Sequence, residues 1–339
     1  MRTAATILLC LLLSPASPAI SDEFAILRYQ RAGGAIVVNT GGDFVDPYFA
    51  LKALLTAQDE GLDIRGPALA WIHWLLPRQL PDGRFRRYCR ERSGKWRGCK
   101  EADADDALFA LWLQLLYRLA PASGLPPEWR ASVNKAGYQL ARLYDHKLGI
   151  YAVSRKNPVG LFIDNVEIWA AFKDISASQR RLGELEAAQP TQARAETMAS
   201  SITHVFWDKK RGAFRVSTQR QPEHDFFPDA VAQIYPWLAG LPIPQDRNLA
   251  WPEWKRRYGE VWIERQSDPH PWGLVALAAL ELGDEDTAAC WMARSAPLRY
   301  GREWNVLEDA AYQAIAARLA KIKLSPQCEL AGAGNRTKS

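Results

Sequence analysis

Six stretches of this chain are apolar on nearly every side, and a stretch with a single apolar stripe lies between each and the next. The first kind covers 47–57, 103–119, 165–175, 230–239, 272–282 and 304–321. A helix without a polar side must be surrounded by other protein. The second kind is shown by Trp129, Val133, Ala136, Leu140 and Leu143, at i, i+4, i+7, i+11 and i+14. Trp251, Trp254, Tyr258, Val261 and Trp262 repeat it, and 64–76, 181–206 and 285–296 are further examples. Such a stripe marks a helix with one face on a core. Buried helices alternating with surface helices through short turns close most simply into two concentric rings. The expected fold class is therefore all-α, an (α/α)6 barrel, as one domain over 20–330. Small β excursions are expected at 149–154 and 213–218, a short helix over 22–29, and an extended piece over 35–39.

The starts of the inner helices in such a barrel open on one face, and acids gather there. The run from Glu101 to Leu113 places Asp103, Asp105 and Asp106 at the mouth of a helix that then turns wholly apolar. Asp103 reads as its N-cap, with Asp106 three residues on, where a carboxylate meets free backbone N–H groups. Capping alone would account for any one of these acids. Three on one buried helix ask for more, because burying acids is costly. Asp43, Asp46, Asp164, Glu167, Asp225, Asp229, Asp268 and Glu303 belong to the same set of starts. Interleaved with them are Phe44, Tyr48, Trp96, Phe162, Phe226, Phe227, Tyr235, Trp272 and Trp304, in a chain with 14 tryptophans. Aromatic faces stack on sugar C–H groups and carboxylates accept from hydroxyls, so a sugar chain fits this inventory. Glycosidic cleavage needs one protonated carboxyl and one carboxylate, and acids crowded in an aromatic cleft can have their pKa values driven apart. His224 and His270 fall in the same loops as candidate substrate ligands, whereas His73 lies in an aromatic patch and reads as packed.

The first 19 residues read as a secretory signal: Arg2, an apolar run from Ile7 to Leu13, then Ser17 and Ala19. The address is periplasmic or secreted. The tail 331–339 reads as disordered. No other segment has the ~20 apolar residues of a membrane span. Four cysteines outlast the signal, and three pairings are open. Cys89–Cys99 is preferred because Gly94 lets the intervening loop turn back, which leaves Cys290–Cys328 to staple the C-terminal segment. Neither a C-x-x-C nor a nearby histidine pair suggests zinc. No metal and no cofactor are expected, and nucleophile-elbow, phosphate-loop, dinucleotide and H-E-x-x-H signatures are absent. The net charge is +5, concentrated in Arg84, Arg86, Arg87, Arg90, Arg92, Lys95, Arg97 and Lys100. That patch is either a solvated hairpin or a surface for an anionic polymer. Nucleic acid is not expected as a partner.

Three segments resemble the six-hairpin glycosidases, and more narrowly the family 8 endoglucanases, which include bacterial cellulose-synthesis-associated cellulases. Asp103-Ala104-Asp105-Asp106-Ala107-Leu108-Phe109-Ala110 resembles the Asp-Ala-Asp-Leu-type segment that binds sugar at the cleavage point. Phe227-Pro228-Asp229-Ala230-Val231-Ala232-Gln233-Ile234-Tyr235-Pro236 is similar to the Tyr-Asp-Ala-Ile-Arg segment holding the base, which puts Asp229 in that role. Val45-Asp46-Pro47-Tyr48-Phe49-Ala50-Leu51 stands where that family has Ser-Glu-Gly with its acid. This chain has no glutamate there, so Asp46 or Asp43 would donate the proton, and Ala232 replaces the family's arginine. Asp164-Asn165-Val166-Glu167-Ile168-Trp169 resembles the inner-helix starts of glucoamylase relatives.

The reading that follows is an exported, endo-acting, inverting glycoside hydrolase of a polysaccharide or oligosaccharide. Asp229 is the base and Asp46 or Asp43 the acid. Asp103, Asp105, Asp106, Asp164, Glu167, Tyr48, Phe227, Tyr235, Trp272 and Trp304 bind substrate, and exopolysaccharide secretion machinery is a candidate partner. Two rivals remain: a non-catalytic exopolysaccharide binder, suggested by the missing glutamate, and a polysaccharide lyase using Tyr48 or Tyr235 as base beside the basic patch.

Overall fold

The computed structural model describes residues 24–321 and Cys328. The signal segment and the tail after 330 lie outside the described residues. The helices are α1 (Pro47–Asp59), α2 (Arg65–Leu75), α3 (Asp105–Leu119), α4 (Pro127–Ala141), α5 (Phe162–Arg181), α6 (Leu185–Phe206), α7 (Asp229–Ala232), α8 (Tyr235–Ala239), α9 (Arg247–Ile263), α10 (Gly273–Glu281), α11 (Glu285–Ser295) and α12 (Val306–Leu319). α1 packs on α3, α3 on α5, α5 on α8, α8 on α10, α10 on α12, and α12 back on α1. α4 flanks α3, α6 flanks α5, and α11 flanks both α10 and α12. α9 is tied to the α7 segment by Trp254, whose Nε1 donates to the Ala230 carbonyl at 2.9 Å.

Local chemistry explains most of the boundaries. Asp46 caps α1 by accepting from the Tyr48 N–H at 3.1 Å, and Pro47 fits the first turn, where no N–H partner is needed. Asn305 accepts from the Leu307 and Glu308 N–H groups and starts α12 two residues later than expected. α5 runs past the expected 175 because Arg181 in its last turn finds the Tyr117 and Ala120 carbonyls. The helix expected over 230–239 is broken in two. Pro236 has no N–H and crowds the Ala232 carbonyl, so Gln233 and Ile234 keep αR backbone but bond three residues back instead of four.

Two other expectations need correction. Asp103 does not cap α3: Ala104 holds the capping position, and Asp103 lies outside the helix, turned to Arg87. The described part of 22–29 is turns rather than helix, because Phe24, Ile26 and Tyr29 all bury their side chains at spacings no single helical face supplies.

A three-stranded antiparallel sheet stands beside the start of α1. Its strands are β1 (Phe44–Val45), β2 (Arg86–Arg90) and β3 (Trp96–Glu101). β2 and β3 form a hairpin that turns at Gly94, with φ of 83°, and is closed by Cys89–Cys99. Cys290 and Cys328 are also bonded. Two-stranded excursions follow at β4 (Tyr144–Asp145) with β5 (Ile150–Tyr151), and at β6 (Trp207–Asp208) with β7 (Ala213–Phe214).

Candidate active site

The first turns of α1, α3, α5 and α12 and the loop before α10 bring carboxyls together. Asp106, in the first turn of α3, is wholly buried, and Asp164, in the first turn of α5, nearly so. Neither Asp106 oxygen nor Oδ2 of Asp164 meets a donor among the described residues. Asp164 lies near enough to Asp106 to feel its charge. Burial pushes both well up from the ordinary carboxylate value, Asp106 to about 7; the Asp106 charge raises Asp164 further, and Glu167 and Asp105 raise Asp106.

One turn below Asp164 on the same helix, Glu167 is stabilised differently. Lys52 of α1 approaches its Oε1 at 2.8 Å, and the Tyr48 hydroxyl donates to it at 2.9 Å. Tyr235, at the start of α8, is buried against this group, with Lys52 5.3 Å from its ring centre. Burial and the Glu167 charge push the Tyr48 and Tyr235 hydroxyls well above the ordinary phenol value.

Glu308 enters from α12. It is buried, and the Gly273 N–H at the start of α10 donates to its Oε2 at 2.6 Å. Burial raises its carboxyl to about 7; the Gly273 bond and the His270 charge act in the opposite direction. Tyr235 feels the charges of both Glu167 and Asp164, and also that of Glu308. The phenol thus lies within the field of carboxyls from two sides. Above Glu308, Trp272 adopts left-handed backbone (φ 51°) and stacks on the exposed Phe227 with ring centres 4.7 Å apart. His270 sits beside Trp272, its Nδ1 3.2 Å from the Glu303 carbonyl.

The remaining expected residues are placed as follows. Asp46 is buried, caps α1, and pairs with Arg87 at 2.9 Å; the same guanidinium reaches the exposed Asp103, also at 2.9 Å. Asp43 is exposed, 3.8 Å from Arg90. Asp105 is half-buried, its N–H donating to the Val153 carbonyl at 2.9 Å. Asp229 accepts from the His224 N–H at 3.0 Å, lies 4.0 Å from Arg211, and lines a polar cavity of about 740 Å³ with Arg215 and Gln219. Trp304, expected to hold substrate, has no exposed face: it stacks on Trp291 and its Nε1 donates to Asp309 at 3.3 Å.

Glu308, Lys52 and the Arg87 bridge were not read from the sequence as parts of this site. Glu308 and Asp309 do follow the acid-in-the-first-turn pattern. Placing the start of the last inner helix at Glu303, two residues too early, hid it.

No family model and no curated protein matches this chain. Solved structures do. A rhamnosidase from Klebsiella oxytoca with rhamnose bound aligns over 89% of this chain and 63% of its own length, at TM-score 0.59 and 14% identity. The chain thus spans less than two thirds of that enzyme. A glycosidase variant in complex with glucose aligns over 89% of this chain and 96% of its own, at TM-score 0.59 and 13% identity. A D-mannose isomerase aligns over 87% and 95%, at TM-score 0.51 and 11% identity. At these identities the shared property is the fold: a mostly helical architecture also carried by glycosidases.

Proposed function

We propose that this protein is a glycoside hydrolase built on an (α/α)6 barrel, with Asp164 as proton donor and Glu308 as base. The observation that carries this is the pair Asp106 and Asp164, two buried carboxyls at the starts of neighbouring helices that meet no cation among the described residues. A glycosidase needs an acid still protonated near neutral pH, and burial with a like charge beside it supplies one. Asp164 gives its proton to the glycosidic oxygen as the C–O bond breaks, while Asp106 behind it holds the donor in place. Glu308 accepts a proton from the water whose oxygen attacks the sugar carbon. The Gly273 N–H at the head of α10 opposes the burial that raises Glu308, so a proton-accepting fraction of its carboxylate is present near pH 7. Glu167, paired with Lys52, orients Tyr48, and Phe227 on Trp272 offers a ring face to a sugar.

This assignment departs from the family 8 positions. Asp46 is neutralised by Arg87 and engaged in capping, and Asp229 faces His224 and Arg211. We retain endo action with inversion, the acid carried by α5 and the base by α12. The two disulfides fit an oxidising, exported setting. The binder reading is disfavoured because buried, unpaired acids serve no need of a binder. The lyase reading is disfavoured because both tyrosine hydroxyls are pushed up, away from a useful base.

The test is release of reducing ends from a panel of polysaccharides by the wild type, Asp164→Asn and Glu308→Gln, with circular dichroism verifying the fold. Each variant should lose about 10²–10⁴-fold. Full activity in folded D164N, or no hydrolysis of any polymer that the wild type binds, refutes the proposal.

A further inference from the structure

The basic hairpin is not an isolated patch; it is one end of a positive arc along the face that carries the candidate site. Arg87, on β2, crosses to Asp46 and Asp103. The Asp105 N–H bonds the Val153 carbonyl, which leads to exposed Arg155 and Lys156. Gly160 and Leu161 are bridged in turn to Thr218 and Ser217, next to exposed Gln219 and Arg220. Among the described residues, Arg92, Lys95, Lys156 and Arg220 make no ion pair and are exposed. They lie on three segments joined by backbone bonds.

The acids inside this arc do not cancel it. Arg87 bridges Asp46 and Asp103, Lys52 pairs with Glu167, and Asp106, Asp164 and Glu308 are buried beneath the surface. What approaches the arc therefore meets Arg92, Lys95, Lys156 and Arg220 with no acid paired to them among the described residues. A polymer with regularly spaced negative groups would be drawn along them and held over the site by several weak contacts at once.

We infer that the substrate is an anionic polysaccharide whose carboxylate or sulfate groups engage the arc running from the β2–β3 hairpin through Lys156 to Arg220. This rests on the hydrolase reading and specifies its substrate class.

Binding and hydrolysis by the full chain are measured with alginate and polygalacturonate as carboxylate polymers, dextran sulfate as a sulfate polymer, and dextran and hydroxyethyl cellulose as neutral ones. Either a carboxylate or a sulfate polymer should bind at least about tenfold more tightly than the neutral ones, with most of the gain lost between about 50 and about 500 mM NaCl. The double reversal Arg92→Glu with Lys95→Glu should weaken that binding about tenfold, and Arg220→Glu, on a separate loop, should weaken it severalfold even if the hairpin variant misfolds. Equal affinity for neutral polymers, indifference to both reversals in folded protein, or equally tight binding of duplex DNA overturns the inference. Hydrolysis confined to neutral polymers overturns it while leaving the hydrolase reading intact. Salt-sensitive binding of an acidic polymer without cleavage does the reverse.

Discussion

The two ends of the inner helices treat buried acids in opposite ways. At the far end, Arg118 in the last turn of α3 pairs with Asp59 of α1 and Asp174 of α5. Arg318 near the end of α12 pairs with Glu60 at 3.0 Å and with Glu281 of α10. Burial pushes Asp59 and Glu60 up, and the arginines pull them back down. At the mouth, Lys52 and Arg87 attend to Glu167 and Asp46, but Asp106, Asp164 and Glu308 are given no cation. A cavity of about 100 Å³ lies between the ends, lined by Lys52 and Glu167 toward one and Asp59 and Glu60 toward the other. Helix dipoles account for part of this, since last turns favour arginine and first turns favour carboxylates. They do not account for two carboxyls facing each other. Under the hydrolase proposal, the far end is arranged for stability and the mouth for chemistry.

The contrast breaks first at the mouth. D164N should remove activity by about 10²–10⁴-fold while leaving stability equal or higher, since an amide can donate to Asp106. Thermal unfolding beside the activity assay reads both. If D164N instead unfolds the protein with activity per folded molecule unchanged, the mouth is structural like the far end.

The converse test is Arg118→Ala. Leaving Asp59 and Asp174 without their cation should destabilise by about 2–4 kcal/mol in urea unfolding, with little change in kcat for the folded fraction. A large loss of kcat at unchanged stability would erase the distinction.

Acidity sharpens it further. Glu308 is raised from 4.5 to about 7. Above pH 4.5 the unfolded chain releases this proton while the folded chain keeps it, so the folded state binds more protons. Its contribution is full below pH 4.5 and is lost as pH rises through about 7. Between those limits the wild type should lose on the order of 1–3 kcal/mol more than E308Q, as seen in melting temperatures across pH. An identical pH profile for the two proteins would show that Glu308 is not held protonated.

The smallest effect is expected at Asp229→Asn, with less than about tenfold loss of reducing-end release. A collapse of activity there would return the base to the position suggested by the family 8 resemblance.

Much of this organisation was legible before any coordinates. The alternation of all-apolar and striped helices is a matter of periodicity, and it located the inner segments within a few residues. It failed twice, for different reasons: Pro236, a breaker within the segment itself, split one inner helix, and Arg181 extended another by reaching carbonyls at the end of α3. The cysteine pairing followed from loop length and a glycine turn. The acids at helix starts were visible as a set, but their individual roles were not.

The sequence by itself determined which segments are buried on all sides and that carboxyls crowd their amino ends, because both depend on residue type and local spacing. The tertiary structure decided which carboxyls lost their charge. That choice depends on whether an arginine, a lysine or another acid arrives from a segment tens to hundreds of residues away, as Arg87 does for Asp46, Lys52 for Glu167, and Asp106 for Asp164.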